Sequence, residues 1–131
     1  MKNLTPVLIL LLLGLAFSGT QIGGCTPPPI HVSVPTVLLV EETANRSTYT
    51  QDQLNAITAT DGGSVKAAVE AIGGQFQAVD VETKVGLPWV LDGLKVPRQG
   101  LPWVIGADSA SGFSVPLTTE ADLKQRAAGL H

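Results

Sequence analysis

A Gly-Leu-Pro turn that leads directly into an apolar run restricts how this chain can fold more than any other feature. The turn is Gly100-Leu101-Pro102, and Trp103-Val104-Ile105 follows it. Proline has no N–H to give to a sheet, so it is tolerated at the first residue of a strand, at an edge or at a bulge. Pro102 therefore predicts the start of a strand. The residues after it predict a second strand over 112–117 and a final helix over 119–126.

The segments before this turn predict an alternation of strands and helices. A continuous apolar run at 37–40, bounded by turn formers, is typical of a central strand that is buried on both faces. Thr50 and Gln53 form a capping box that opens a helix, which the glycines at 62–63 end. A second helical segment over 64–72 ends at Gly73 and Gly74. Its residues at helical spacing, which predict an inner face, are Val65, Ala68, Val69 and Ile72.

A further strand is predicted around residues 76–81, so the order strand, helix, strand indicates a right-handed parallel crossover. The pentapeptide Gly-Leu-Pro-Trp-Val then occurs twice, at 86–90 and at 100–104. A five-residue sequence that occurs only twice gives no evidence of a repeat architecture, which needs at least three units. We interpret the first copy as the start of a short helix with Pro88 at its first position.

Charge and side-chain chemistry exclude several classes of function. The net charge is −3, and the 8 Lys and Arg residues are scattered, so nucleic acid is not expected as a partner. Cys25 is the only cysteine, which excludes an intramolecular disulfide or a thiolate metal cluster. Neither His31 nor His131 lies inside the predicted elements. Asp80 and Glu82 share a face, but the sequence indicates no third ligand, so we expect no catalytic residue, cofactor or metal.

The N-terminus has the pattern of a secretory signal peptide over residues 1–24. Lys2 precedes an apolar run at 7–17, and small or polar residues follow at 18–24. The run is too short to span a bilayer comfortably. Ile22-Gly23-Gly24-Cys25 resembles the lipobox of bacterial lipoproteins, which implies a lipid on Cys25 and a membrane-anchored location in the cell envelope. Cleavage after Ser18 is the alternative and would leave a secreted or periplasmic soluble protein. The prolines at 27–29 predict a stiff tether over residues 25–32.

Over residues 33–131, the order β-α-β-α-β-β-α with Gly100-Leu101-Pro102 before the hairpin is similar to the thioredoxin-like fold. The resemblance implies an α/β three-layer sandwich with a mixed four-stranded sheet. It also implies that the Leu101–Pro102 bond is cis and that Pro102 faces the loop after the first strand. Ala44 and Ser47 stand where that family has its two redox cysteines. Disulfide exchange needs a thiolate nucleophile, so that activity is excluded here.

The sequence therefore predicts a non-catalytic thioredoxin-like domain, envelope-anchored or secreted, that binds a protein or peptide partner. The predicted binding groove comprises the loop after the first strand and the turn before the third, namely Ala44, Asn45, Arg46, Ser47, Leu101, Pro102 and Trp103. The expected membrane contact is a lipid anchor at Cys25. Two alternatives remain open: an enzyme of unrecognised mechanism related to redox systems, and a structural surface lipoprotein.

Overall fold

A four-stranded mixed sheet forms the centre of the molecule in a computed structural model that describes residues 27–62 and 64–131. The sheet order is β2-β1-β3-β4. Strand β1 pairs in parallel with β2 and antiparallel with β3, and β3 pairs antiparallel with β4. The predicted mixed sheet with a central first strand is thus confirmed. The strands are β1 (Thr36–Glu41), β2 (Gln75–Asp80), β3 (Trp103–Ala107) and β4 (Gly112–Pro116).

Side-chain caps open two of the helices, and a proline lies in the first turn of a third. The Thr50 hydroxyl accepts from the N–H of Gln53 at 3.1 Å, and the Gln53 side chain accepts from the N–H of Thr50 at 2.9 Å, which completes the predicted capping box. Thr119 accepts from the N–H of Asp122 at the last helix. Pro88 lies in the first turn of the short helix. The helices are a 3₁₀ helix (Thr43–Thr48), α1 (Gln51–Gly62), α2 (Ser64–Ala71), α3 (Pro88–Leu94) and α4 (Glu120–Ala128).

Helices cover both faces of the sheet, and every residue of the central strand β1 is therefore buried. Side chains alternate across a strand, so Val37 and Leu39 face one side and Leu38 and Val40 the other. The first pair packs with buried residues of α1, α2 and α4, and the second pair packs with Val90 of α3. A continuous apolar run in a central strand is the expected consequence of burial on both faces.

The predicted inner face of the second helical segment is only partly correct. Val65 and Val69 are buried, but Ala68 is exposed and Ile72 is 47% exposed. The helix ends at Ala71, and the chain then turns through Gly73, whose φ is +82°. A left-handed conformation of this kind favours glycine and ends the helical periodicity. Ile72 is therefore carried away from the core.

Part of the predicted tether packs against the domain. Ile30 is only 4% exposed. Pro28 and Pro29 lie so close to Gly112, at the start of β4, that a Cβ at Gly112 would meet both prolines. The compact part of the chain therefore includes these residues ahead of Val32. The predicted signal peptide (1–24) and Cys25 lie outside the described residues.

Candidate binding groove

An open groove lies at the end of the sheet where β1 ends and β3 begins. Val40 of β1 pairs with Trp103, and Trp103 pairs with Pro116, so the end of β1, the start of β3 and the end of β4 meet there. The groove has a volume of about 270 Å³. The residues that line it come from α1, from the turn before β3, from the start of β3 and from the end of β4, namely Gln53, Gln99, Gly100, Leu101, Pro102, Trp103 and Pro116.

The turn before β3 forms one wall of this groove. The Leu101–Pro102 peptide bond is cis, which is the geometry that the resemblance to the thioredoxin-like fold implied. The C=O of Pro102 accepts from the N–H of Leu117 at 3.0 Å, which ties the turn to the end of β4. Within residues 27–62 and 64–131, neither the N–H nor the C=O of Leu101 makes a hydrogen bond to the chain. Because Leu101 is half-buried at the groove, its main chain can bond to a ligand there.

Two polar side chains of the groove, those of Trp103 and Gln53, are already engaged in hydrogen bonds within the chain. The indole N–H of Trp103 donates to the Ser114 hydroxyl at 2.7 Å. The Gln53 amide donates to the C=O of Leu117 at 3.0 Å, and its oxygen is the acceptor of the capping box at Thr50. These two side chains therefore contribute mainly their apolar surface to the groove.

The structure separates the predicted groove residues into two groups. Leu101, Pro102 and Trp103 line the groove, whereas residues 44–47 are exposed on the 3₁₀ helix and are not among its lining residues. The resemblance to the thioredoxin-like fold had assigned this segment, which was predicted as a loop, to the groove. Gln53, Gln99, Gly100 and Pro116 were not predicted, although Gln99 and Gly100 adjoin the predicted turn.

Side-chain hydrogen bonds help to hold the 3₁₀ helix on the sheet end. Arg46 donates from Nε and Nη2 to the two carboxylate oxygens of Glu41, at 2.8 and 2.6 Å. The Tyr49 hydroxyl accepts from the N–H of Glu42 at 2.8 Å and donates to its C=O at 3.2 Å. Arg46 within the helix and Tyr49 directly after it are thereby attached to the last residue of β1 and to the residue that follows it.

Three carboxylates gather at the same end of the sheet. Oxygens of Glu42, Asp80 and Glu82 lie within 4.8 Å of one another. Partial burial and then the charge of Asp80 raise the pKa of Glu42 above its ordinary value. The N–H groups of Glu82 and Thr43 donate to Asp80 and lower its pKa. A hard cation needs about six or more oxygen ligands, so three carboxylates at this surface do not define a metal centre by themselves.

The sequence predicted that Asp80 and Glu82 share a face but did not predict Glu42 as the third member of this group. A signal was present, because β1 and β2 were predicted to be parallel and the carboxyl ends of neighbouring parallel strands meet at one edge. In the register of the sheet Glu41 pairs with Asp80, which places Glu42 just beyond that pair.

No family model matches the chain, and neither a curated protein nor a solved structure matches it significantly. Among the helices of residues 27–62 and 64–131, none has both the length and the apolar character needed to cross a bilayer.

Proposed function

We propose that this chain is a non-catalytic thioredoxin-like domain that binds an extended segment of a protein or peptide partner in the groove beside Pro102. The fold part of the proposal is supported by the order of the elements. A parallel β1–β2 pair with intervening helices is followed by an antiparallel β3–β4 hairpin and a final helix, with helices on both faces. This is the arrangement that the resemblance implies.

The observation that carries the binding proposal is the free main chain of Leu101 at the groove. An extended peptide that lies along residues 100–102 can accept from the N–H and donate to the C=O of Leu101. Main-chain bonds of this kind give affinity in peptide recognition, and neighbouring pockets select side chains. Leu101, Trp103 and Pro116 offer apolar surface for one such side chain. The partner class is therefore a peptide in extended conformation with an apolar residue at the contact.

The residues beside the groove suit binding better than redox chemistry. Ala44 and Ser47 occupy the positions that the resemblance assigns to two cysteines, and neither residue forms a thiolate. Arg46 in the same helix is held by Glu41. The 3₁₀ helix thus acts as a fixed neighbour of the groove.

The binding proposal is tested with two glycines that share the same local sequence. Gly86 and Gly100 both begin Gly-Leu-Pro-Trp-Val, and a Cβ at either position meets no atom within 4 Å. Only Gly100 lines the groove. A peptide is first selected from a displayed library on the wild-type chain. Its affinity should fall about tenfold or more for Gly100→Trp, a loss of about 1.4 kcal/mol, and stay unchanged for Gly86→Trp. Failure to select a peptide, or equal affinity for both variants, contradicts the proposal.

We also propose that the chain is exported and that Cys25 carries a diacylglycerol. Two acyl chains suffice for stable anchoring, because each buried CH₂ contributes about 0.8 kcal/mol. Mass spectrometry of the membrane fraction should find an acylated N-terminal cysteine at position 25. A mature N-terminus at Gly19 contradicts the lipid anchor.

A further inference from the structure

The large apolar side chains that are exposed in the described part of the chain include two beside the amino ends of neighbouring strands. Val34 precedes β1 and is 37% exposed, and Ile72 precedes β2 and is 47% exposed. The two strands are parallel and in register from Thr36 and Gln75. Val34 and Ile72 therefore lie at one end of the sheet, opposite the groove.

A shallow depression also lies at this end of the sheet, and a third exposed apolar residue directly precedes its lining in the sequence. Ser33 and Gln75 line it together with Pro88 and Trp89 of α3. Leu87 immediately precedes Pro88 and is 53% exposed. We call Val34, Ile72, Leu87 and Trp89 the amino-end surface.

The chain leaves the domain at the same end. Pro28 and Pro29 lie against Gly112, which pairs with Ala107, and Ala107 pairs with Thr36 at the start of β1. Cys25 comes only three residues before Pro28. Three extended residues reach about 10 Å. A lipid on Cys25 would therefore hold this end of the domain within about that distance of the headgroups.

We propose that the amino-end surface rests on the lipid bilayer, so that the groove faces away from the membrane. This inference depends on the lipid anchor proposed above. The contact is apolar: the chain has a net charge of −3, and Asp92 lies in the depression, so anionic lipid offers no attraction. Trp89 is half-buried, and its indole nitrogen is buried without a hydrogen-bond partner among the described residues, so the exposed part of its ring is apolar. The lipid surface is therefore one with zwitterionic headgroups.

The two tryptophans of the chain provide a test of this orientation. Trp89 lies on the amino-end surface, and Trp103 lies at the groove. The chain that begins at Cys25 retains every described residue. Because Cys25 is the only cysteine, it can be coupled to a maleimide lipid in phosphatidylcholine vesicles with brominated acyl chains. The variant Trp103→Phe then reports on Trp89, and Trp89→Phe reports on Trp103.

The expected result is a difference between the two reporters. Membrane-bound apolar faces enter about 5–10 Å into the headgroup boundary, so Trp89 emission should fall roughly twofold, and Trp103 emission by less than about a tenth. Val34→Ser combined with Ile72→Ser should remove most of the Trp89 quenching while the coupling yield stays the same. Added anionic lipid should not increase the quenching.

Other outcomes overturn the proposal. Equal quenching of the two tryptophans, or none in either, shows that the amino-end surface does not face the bilayer. Loss of quenching together with concentration-dependent dimers in solution would assign the surface to a second copy of the chain. The coupled lipid replaces the natural one, so this result is independent of acylation in cells. An unacylated Cys25 in cells refutes the natural lipid anchor. An unquenched Trp89 on coupled vesicles refutes the contact between the amino-end surface and the bilayer.

Discussion

Arg46 binds both carboxylate oxygens of Glu41, the last residue of β1, through its own Nε and Nη2. Glu41 is only 5% exposed, whereas the Arg46 side chain is 45% exposed. A buried carboxylate is tolerated in a protein when it is paired and hydrogen-bonded. The pair therefore satisfies Glu41 and at the same time attaches the 3₁₀ helix to the end of the sheet where the groove lies.

Replacing Arg46 with Ala should destabilise the fold, because it removes two charge-assisted hydrogen bonds from a buried carboxylate. We expect the free energy of unfolding to fall by about 2 to 3 kcal/mol, measured by urea unfolding. Adding Glu41→Met to Arg46→Ala should recover most of the loss, since an apolar pair often replaces a buried ion pair without penalty.

The control for this variant is an exposed pair of the same chemistry. Arg126 donates to Asp122 at 3.0 Å on α4, where the two side chains are 41% and 35% exposed. Exposed pairs contribute about 0 to 1 kcal/mol, so Arg126→Ala should cost less than about 1 kcal/mol. Equal losses for Arg46→Ala and Arg126→Ala would show that burial of Glu41 has no energetic consequence.

Gly106→Ala should be strongly destabilising, because the added Cβ would collide with the ring of Phe113. The two residues are cross-strand partners in β3 and β4. Overpacking of this kind costs about 1 to 3 kcal/mol. Thermal unfolding should show the loss, and Phe113→Leu in the Gly106→Ala background should recover part of it. Gly100→Ala is the control, because open space surrounds that position. A tolerated Gly106→Ala would be incompatible with this strand pairing.

Asp108 should make the fold sensitive to acid. It is 2% exposed; burial acts to raise its pKa, but the N–H groups of His131, Ala110 and Ser111 outweigh burial and hold the pKa below its ordinary value of 3.8. A lowered pKa means that the unfolded chain binds the proton more tightly. The stabilisation is therefore complete well above pH 3.8 and is lost as the pH falls through that value toward the folded-state pKa.

The measurement is urea unfolding of wild type and Asp108→Asn between pH 7 and pH 2. The variant should be less stable at pH 7, by about 1 to 3 kcal/mol, since its amide nitrogen cannot accept the bond from His131. It should also lose less stability on acidification than the wild type does. The pKa of Asp80 is lowered as well, so Asp80→Asn combined with Asp108→Asn should flatten the pH dependence further. Parallel curves for wild type and Asp108→Asn would contradict the assigned role.

Ile30→Ala should destabilise the domain although residue 30 lies in the predicted tether. Ile30 is 4% exposed, and large-to-small changes at buried positions cost about 2 to 5 kcal/mol. Val34→Ala, four residues later and 37% exposed, should change stability by less than about 0.5 kcal/mol. The two unfolding midpoints in urea provide the comparison. Similar midpoints would show that the compact domain begins after Ile30.

The elements of this fold that depend on local chemistry were predictable from the sequence. The capping box of Thr50 and Gln53 opens α1, Pro88 lies in the first turn of α3, and Pro102 directly precedes β3. Each of these signals acts through bonds or steric limits within a few residues, so the surrounding fold does not change its meaning. The 37–40 run likewise indicated the central strand, because only burial on both faces suits such a run.

Contacts between distant segments were decided by the tertiary structure. Ile30 and Ile72 show this in opposite directions: the first is buried within a proline-rich segment, and the second is exposed at the end of a regular helical pattern. The groove also depends on distant segments, since Gln53 and Pro116 join Leu101 only when α1 and β4 have packed. The sequence by itself excluded disulfide exchange by a cysteine pair, because it has a single cysteine, and its residue spacing predicted the order of the strands and helices. Which side chains share a surface followed from packing, because a side chain's direction is fixed by neighbours that are far away in the sequence.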